Sequence, residues 1–180
     1  MRPLFCVSLA ALMALAFLLS ACGEAVPPPA ASEILTAMVS AAEDSAQPIP
    51  DGVIRLTAAP MDSPNHLTET FFSALYGEAA RGMLEARDRQ SPPLQDVALY
   101  LSVSPYPWEL GIFRCADGDT AREVATLCHG RLDTLSRGFR ESDGAAAASR
   151  GRVVVEGNWV LLVLCEDPAP VLEAARRLVG

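Results

Sequence analysis

The stretch RVVVEGNWVLLVLC, residues 152–165, carries the strongest signal of the fold in this sequence. Two runs of strand composition, 152–156 and 159–165, flank Gly157-Asn158, and this dipeptide between extended runs predicts a tight antiparallel hairpin. The second run is apolar at every position, which is typical of a strand covered on both faces. We therefore expect helices on both sides of a sheet. A face left uncovered would be a binding surface.

The segments that precede and follow the hairpin extend this picture. Residues 97–103 and 109–115 have strand composition and are separated by a Pro-containing turn. Thr120 and Glu123 have the spacing of a capping box, and the helix after them carries apolar residues at intervals of three and four. A final helix begins at Pro168. The order strand-strand-helix-strand-strand-helix predicts an α+β domain with a four-stranded, largely antiparallel sheet.

The preceding part of the domain adds N-terminal helices that pack on the sheet. Amphipathic spacing predicts helices over 33–44 and 65–76, and residues 53–57 fit a short strand or an extended connector. Residues 78–90 fit a solvated helix or a loop, and 141–151 a loop. The predicted N-caps of the two helices are Ser32 and Ser63. We expect the late helices to cover one face of the sheet and the early helices the other.

The beginning of the chain predicts export and lipid anchoring. An uninterrupted apolar run, 4–19, ends in Leu-Ser-Ala-Cys, which is typical of the lipobox of a bacterial lipoprotein. We expect residues 1–21 to be a signal peptide and Cys22 to be lipidated, with palmitate or similar chains. An ordinary cleaved signal beside an uninvolved cysteine is the alternative. Several acyl chains anchor firmly because each buried methylene contributes about 0.8 kcal/mol.

The rest of the mature chain is organised simply. Residues 22–31 comprise the lipidated cysteine and a Pro-rich tether, and residues 32–180 have the length of a single domain. The predicted location is therefore the extracytoplasmic side of the cell membrane.

Composition excludes several classes of function. The formal net charge is −8, and an acidic domain repels the phosphates of nucleic acids, so we expect no nucleic-acid partner. The chain contains no lysine, which excludes Schiff-base chemistry and the phosphate-binding loop that needs one. We expect no cofactor. The expected partners are the membrane, through the lipid, and a protein or small molecule that the sequence does not identify.

Three cysteines remain in the predicted domain: Cys115, Cys128 and Cys165. Their spacing matches neither a redox CxxC pair nor a structural zinc site, even if His66 or His129 joined them, so we expect no metal. Three buried thiols are one interpretation. A Cys115–Cys165 disulfide is the other, provided that the two strand ends lie side by side.

The residue pairs that suggest catalysis have simpler explanations. Cys128 and His129 are neighbours on a helix and point about 100° apart, so they do not form a nucleophile and base. We therefore predict no catalytic residues.

Polar residues elsewhere also fit structural roles. Asp167 is explained as a helix cap and Glu166 as its neighbour. Glu109 is expected to be a solvated charge at a strand end. Tyr106 and Trp108, near it, could line a small recognition patch.

Several of these segments resemble a bacterial lipoprotein family known as domain of unknown function 4358. The resemblance covers about residues 32–179 and is strongest at the hairpin. The other matching segments are the lipobox, Ser32-Glu33-Ile34-Leu35, Leu75-Tyr76-Gly77, Glu109-Leu110-Gly111-Ile112-Phe113 and Arg131-Leu132. The chain departs from the family pattern at 78–93 and 141–151. The resemblance implies a lipid-anchored, secreted domain and supplies no catalytic residue.

The function expected from the sequence is a non-catalytic binding or cell-envelope accessory module. An envelope-acting hydrolase is the alternative, and it needs His66 or His129 in a cleft with a carboxylate. A purely structural lipoprotein is a third possibility, and it would have neither a concave pocket nor an exposed apolar patch.

Overall fold

The computed structural model describes residues 27–86, 90–142 and 144–180 of the protein. The predicted signal peptide, Cys22 and the first part of the predicted tether lie outside these residues. Residues 27–30 carry neither helix nor strand, and the folded domain begins at Ala31. Within the described ranges, no helix is both long enough and apolar enough to span a bilayer.

A five-stranded antiparallel sheet, in the order β1-β2-β3-β5-β4, forms the centre of the domain. The strands are β1 (Gly52–Leu56), β2 (Leu94–Ser102), β3 (Glu109–Cys115), β4 (Arg152–Glu156) and β5 (Trp159–Leu164). The predicted α+β class and antiparallel sheet are confirmed, and so is the hairpin at Gly157-Asn158. The prediction of four strands is wrong. The segment 53–57, which fitted either a short strand or an extended connector, largely coincides with β1, and β1 pairs with β2 as an edge strand.

Besides one short 3-10 helix (Glu78–Ala80), the described residues form five α-helices. They are α1 (Ala31–Asp44), α2 (Glu69–Tyr76), α3 (Gly118–Gly138), α4 (Ala145–Ala148) and α5 (Pro168–Val179). The helix α4 lies in the stretch predicted as a loop, and its Ala147 and Ala148 are buried. Alanine favours helix and is small enough to pack closely, which explains the difference.

The start of α1 is held by a strand rather than by its own predicted cap. The Asp96 carboxylate, on β2, accepts the N–H of Ala31 at 2.8 Å. The helix therefore begins one residue before Ser32, which lies in its first turn. This bond fixes the place where the predicted tether enters the domain.

Two other helices also begin at residues different from those predicted. Thr68, not Ser63, caps α2 and accepts the N–H of Phe71. Asp117 caps α3 and accepts the N–H of Thr120, which is thus a residue of the first turn. In both cases a second suitable oxygen lies within a few residues of the predicted one, and the packing of the helix selects between them.

Each face of the sheet is covered by one early and one late helix. Buried residues of α1 and α5 pack with Leu161 and Val163 on one face. Buried residues of α2 and α3 pack with Val160 and Leu162 on the other. All six residues of β5 are buried, so the prediction of a strand covered on both faces is confirmed. The predicted division into early and late layers is wrong, because the chain crosses between layers after α1 and again after α3.

Candidate functional site

The most unusual polar group in the interior is the carboxylate of Glu109, at the start of β3. The residue is 2% exposed. Its Oε2 accepts from Nη2 of Arg131, on α3, at 2.9 Å and from Nε at 3.1 Å. Its Oε1 accepts from the hydroxyl of Tyr76, on α2, at 3.2 Å. The prediction of a solvated charge is therefore wrong, because α2 and α3 close over this strand end.

This polar cluster changes the chemistry of the groups beside it. Burial, followed by the nearby Glu109 charge, raises the pKa of Tyr76 well above its usual value. The same two causes raise the pKa of the Cys128 thiol. Both groups therefore stay protonated further into the alkaline range than an exposed tyrosine or cysteine would. Because the cluster is enclosed, we interpret it as an anchor between the sheet and two helices.

Three segments that lie far apart in the sequence meet in this cluster. Tyr76, Glu109 and Arg131 each belong to one of them. A signal for Arg131 is present in the sequence, because it lies three residues after Cys128 and so falls on the core-facing side of α3. A charged residue on that stripe requires an internal partner.

The cysteines do not form the disulfide considered above. Cys115, Cys128 and Cys165 are all buried free thiols. Cys115 lies beside the Asn158 end of β5, whereas Cys165 follows the opposite end. At about 3.3 Å per residue the two are about 20 Å apart, far beyond the Cα separation of a disulfide. They also belong to clusters on opposite faces of the sheet.

Cys128 and His129 point in different directions, as their positions on a helix require. Cys128 is fully buried, and His129 is exposed. His66 lies elsewhere, in a groove of about 460 Å³ that Glu69 and Glu85 also line. The groove therefore brings a histidine and carboxylates together, which is the arrangement that the hydrolase alternative needs.

The groups around His66 are largely committed to the fold. Its Nδ1 lies 2.8 Å from the carbonyl oxygen of Ala59. Glu69 accepts main-chain N–H groups of the following loop, among them that of Leu84 at 3.1 Å. The hydroxyl of Thr68 caps α2. These bonds give the histidine and the carboxylate positioning roles in the loop.

The remaining candidates are placed near β5 and its following helix. Asp167 caps α5 as predicted and accepts the N–H of Ala169. Glu166 accepts from the hydroxyl of Tyr106 at 2.8 Å, and burial, with this bond, raises the pKa of Tyr106 to about 12. Trp108 is buried against Tyr100 rather than on a surface patch.

An apolar groove of about 380 Å³ lies between α1 and the edge strand β1. We call it the α1–β1 groove. Its apolar lining comprises Leu35, Val39, Ile54, Leu56 and Tyr100, and its polar lining comprises Ser32, Thr36, Ser40 and Glu43. The groove exists because α1 packs over β2 and β3 and leaves β1 partly uncovered.

Two details keep the floor of this groove open. Gly52 has no side chain, and a Cβ there would overlap the ring of Tyr100. The Tyr100 hydroxyl donates to the carbonyl oxygen of Pro50 at 2.7 Å, which fixes the ring across the start of β1. Ile54 remains 39% exposed. The groove thus presents a positioned aromatic ring and an accessible aliphatic side chain.

Within the described part of the chain, no three His, Cys, Asp or Glu residues are arranged to hold a metal ion. No protein-family model, curated protein or solved structure matches the chain. The resemblance to the lipoprotein family therefore stays a prediction.

Proposed function

We propose that this chain is a lipid-anchored, extracytoplasmic binding module of a bacterial cell envelope and that the α1–β1 groove is its binding site. The observation that carries the proposal is the apolar floor of this groove, with Ile54 39% exposed beside a fixed Tyr100 ring. Solvent contact with such a floor is unfavourable, and covering it with an apolar ligand releases about 25 cal/mol per Å².

The position of the groove relative to the predicted anchor supports this role. The groove begins at Ser32, one residue after the helix start that Asp96 holds. A tether of residues 22–31, even fully extended, spans only about 30 to 35 Å. An anchor at Cys22 would therefore keep the groove close to the membrane surface, where apolar chains and membrane-protein segments are concentrated.

The lining indicates the chemistry of the ligand. A groove of about 380 Å³ is at the small end of the usual range for small-molecule sites. Ser32, Thr36 and Ser40, on α1, bring hydroxyl-bearing side chains to the lining, and the Thr36 hydroxyl donates to the Ser32 carbonyl oxygen at 2.9 Å, which leaves its oxygen as an acceptor. We propose a slender, mainly apolar ligand with a polar group that these hydroxyls bind, or an apolar segment of an envelope protein.

The His66 groove gives the hydrolase alternative its one supporting observation, namely a histidine and two carboxylates in a single cleft. The bonds that occupy Glu69 favour the binding module over this alternative. Replacing His66 with Gln separates the two proposals. A binding module should keep its binding in the α1–β1 groove unchanged, whereas a hydrolase that uses the His66 groove should lose its hydrolytic activity.

Photo-crosslinking tests the proposed site. A photoreactive amino acid at Ile54 in the full chain, irradiated in membranes, should give a discrete adduct. The same photoreactive amino acid in place of Thr126, which is exposed on α3 at the opposite face of the sheet, serves as the control. Ile54→Glu should reduce binding of the neutral apolar dye Nile red at least fivefold. Equal adducts at both positions, together with unchanged dye binding, would exclude this groove as the site.

A further inference from the structure

The two edges of the sheet differ in how well they are protected. At β1, the main chain of Leu56 is bonded on its outer side by Asn65 and Leu67, at 2.8 and 2.9 Å. The Ile54 carbonyl oxygen accepts from the guanidinium of Arg55 at 3.0 Å. These bonds occupy three of the outward main-chain groups of β1, namely the N–H and carbonyl of Leu56 and the carbonyl of Ile54, and so protect part of this edge against strand pairing.

The other edge, β4, is open. The bond from the N–H of Cys115 to the carbonyl oxygen of Asn158 fixes the alternation along β5, and this turns the main-chain groups of Val153 and Val155 outward. Within the described residues, the outward N–H and carbonyl groups of Val153 and of Val155 have no hydrogen-bond partner. The Val155 side chain is 43% exposed. An open edge of consecutive valines is a template for strand pairing.

We propose that β4 pairs with β4 of a second copy of this chain, antiparallel, across a two-fold axis at Val154. In this register Val153 of one copy and Val155 of the other exchange two hydrogen bonds, and the symmetry provides two more. The result is a continuous ten-stranded sheet. The proposal is independent of the α1–β1 groove, which lies at the opposite edge.

The charges of the strand select this partner and this register. Arg152 and Glu156 stand at the two ends of β4, so antiparallel self-pairing places each opposite its counterpart in the second copy. These are non-hydrogen-bonded positions, where facing side chains are closest. A parallel arrangement, or a shift by two residues, removes this match.

Among the described residues of a single chain, one of these charges has no carboxylate partner. Within that part of the chain the Arg152 guanidinium donates to two main-chain oxygens, those of Arg150 and Gly151, at 2.9 Å. Glu156 accepts from Nε of Arg176 at 2.9 Å. Pairing gives Arg152 a carboxylate in the second copy, and Glu156 then lies between two guanidinium groups.

The size of the contact sets the conditions under which it forms. Five residues of strand bury less than the roughly 1,200 Å² of a stable interface, so pairing is weak in dilute solution. Two acidic copies also repel one another. Confinement to a membrane surface raises the effective concentration and favours the pair.

Cysteine crosslinking in membranes tests the register directly. Val154→Cys, in the full chain, places two thiols face to face at the two-fold axis. Val53→Cys, in the other edge strand, is the matched control, because its main-chain groups also face into the sheet. Diamide accepts the two electrons and two protons released when the thiols join. We expect at least a fivefold excess of covalent dimer for Val154→Cys, and equal yields from both variants would overturn the proposal.

Charge variants separate this pairing from random collision. Adding Arg152→Glu to Val154→Cys should lower the dimer yield at least fivefold, and the further change Glu156→Arg should restore it. If either charge variant unfolds, Val155→Pro removes an outward N–H, with Ile54→Pro as control at the other edge. Only Val155→Pro should lower the yield. A dimer yield that does not change with Arg152→Glu would refute pairing through β4, and so would a yield that falls equally with Val155→Pro and Ile54→Pro.

Discussion

The guanidinium of Arg131 contacts the carboxylate of Glu109 at 2.9 Å, although only 3% of the Glu109 side chain and 18% of the Arg131 side chain are exposed. Two hydrogen bonds to one carboxylate oxygen, with a tyrosine hydroxyl on the other, satisfy the charge where water is excluded. The pair joins β3 to α3, and the tyrosine joins both to α2.

Removing one partner of this buried pair should lower the free energy of unfolding strongly. Arg131→Ala leaves an unpaired carboxylate in the interior, which costs about 3–5 kcal/mol of unfolding free energy. Urea unfolding measures this loss. The matched variant, Glu109→Leu with Arg131→Met, removes both charges and should lose much less. A loss below about 1 kcal/mol for Arg131→Ala would contradict the role of the cluster as an anchor.

Glycine at position 52 is required by the ring of Tyr100, not by its own backbone. Gly52→Ala should lower the unfolding free energy by about 1–3 kcal/mol, because the added methyl group overlaps the ring. Gly118→Ala is the control, since nothing lies within 4 Å of the added atom. We expect the control to be neutral or slightly stabilising. Thermal unfolding of the two variants compares them, and equal shifts would contradict this packing.

Alkaline titration should reveal the buried thiols. Burial raises the pKa of Cys115 and of Cys165 from 9.0 to about 12. The folded state therefore holds these protons at a pH where the unfolded chain releases them. The stability they contribute is complete below about pH 9 and is lost as the pH rises towards 12.

Urea midpoints measured from pH 8 to 11.5 test this dependence. Cys165→Ala should make the alkaline loss shallower, while tyrosine titration affects both proteins alike. In the native protein the three thiols should react with a thiol reagent much more slowly than in urea. The expectation fails if Cys165→Ala has the same alkaline slope as the parent chain, or if the native thiols react at the unfolded rate.

Local signals explain which parts of the fold were predictable. The Gly157-Asn158 turn and the all-apolar run of β5 specify their own structure, and both were predicted correctly. The edge strand β1 was ambiguous because its five residues include Arg55 and have one partly exposed face. Its place in the sheet depends on the packing of Tyr100 over Gly52, which no local pattern reveals.

The site residues were harder because their partners are distant in sequence. Glu109 looks like an ordinary strand-end charge until α3 brings Arg131, 22 residues later, against it. The α1–β1 groove arises from the position of α1 over β2 and β3, and the helix pattern alone does not give that offset. The cysteine spacing likewise left two interpretations open, and only the strand register separated them.

The proposed function depends on the proposed lipid anchor at Cys22. The intact mass of the protein extracted from membranes is the most direct test of that anchor. We expect a chain that begins at Cys22 and carries the added mass of a diacylglyceryl group and further acylation, and we expect Cys22→Ser to be lost from membranes. A full-length chain beginning at Met1, unmodified and recovered from the cytosol, would contradict this expectation.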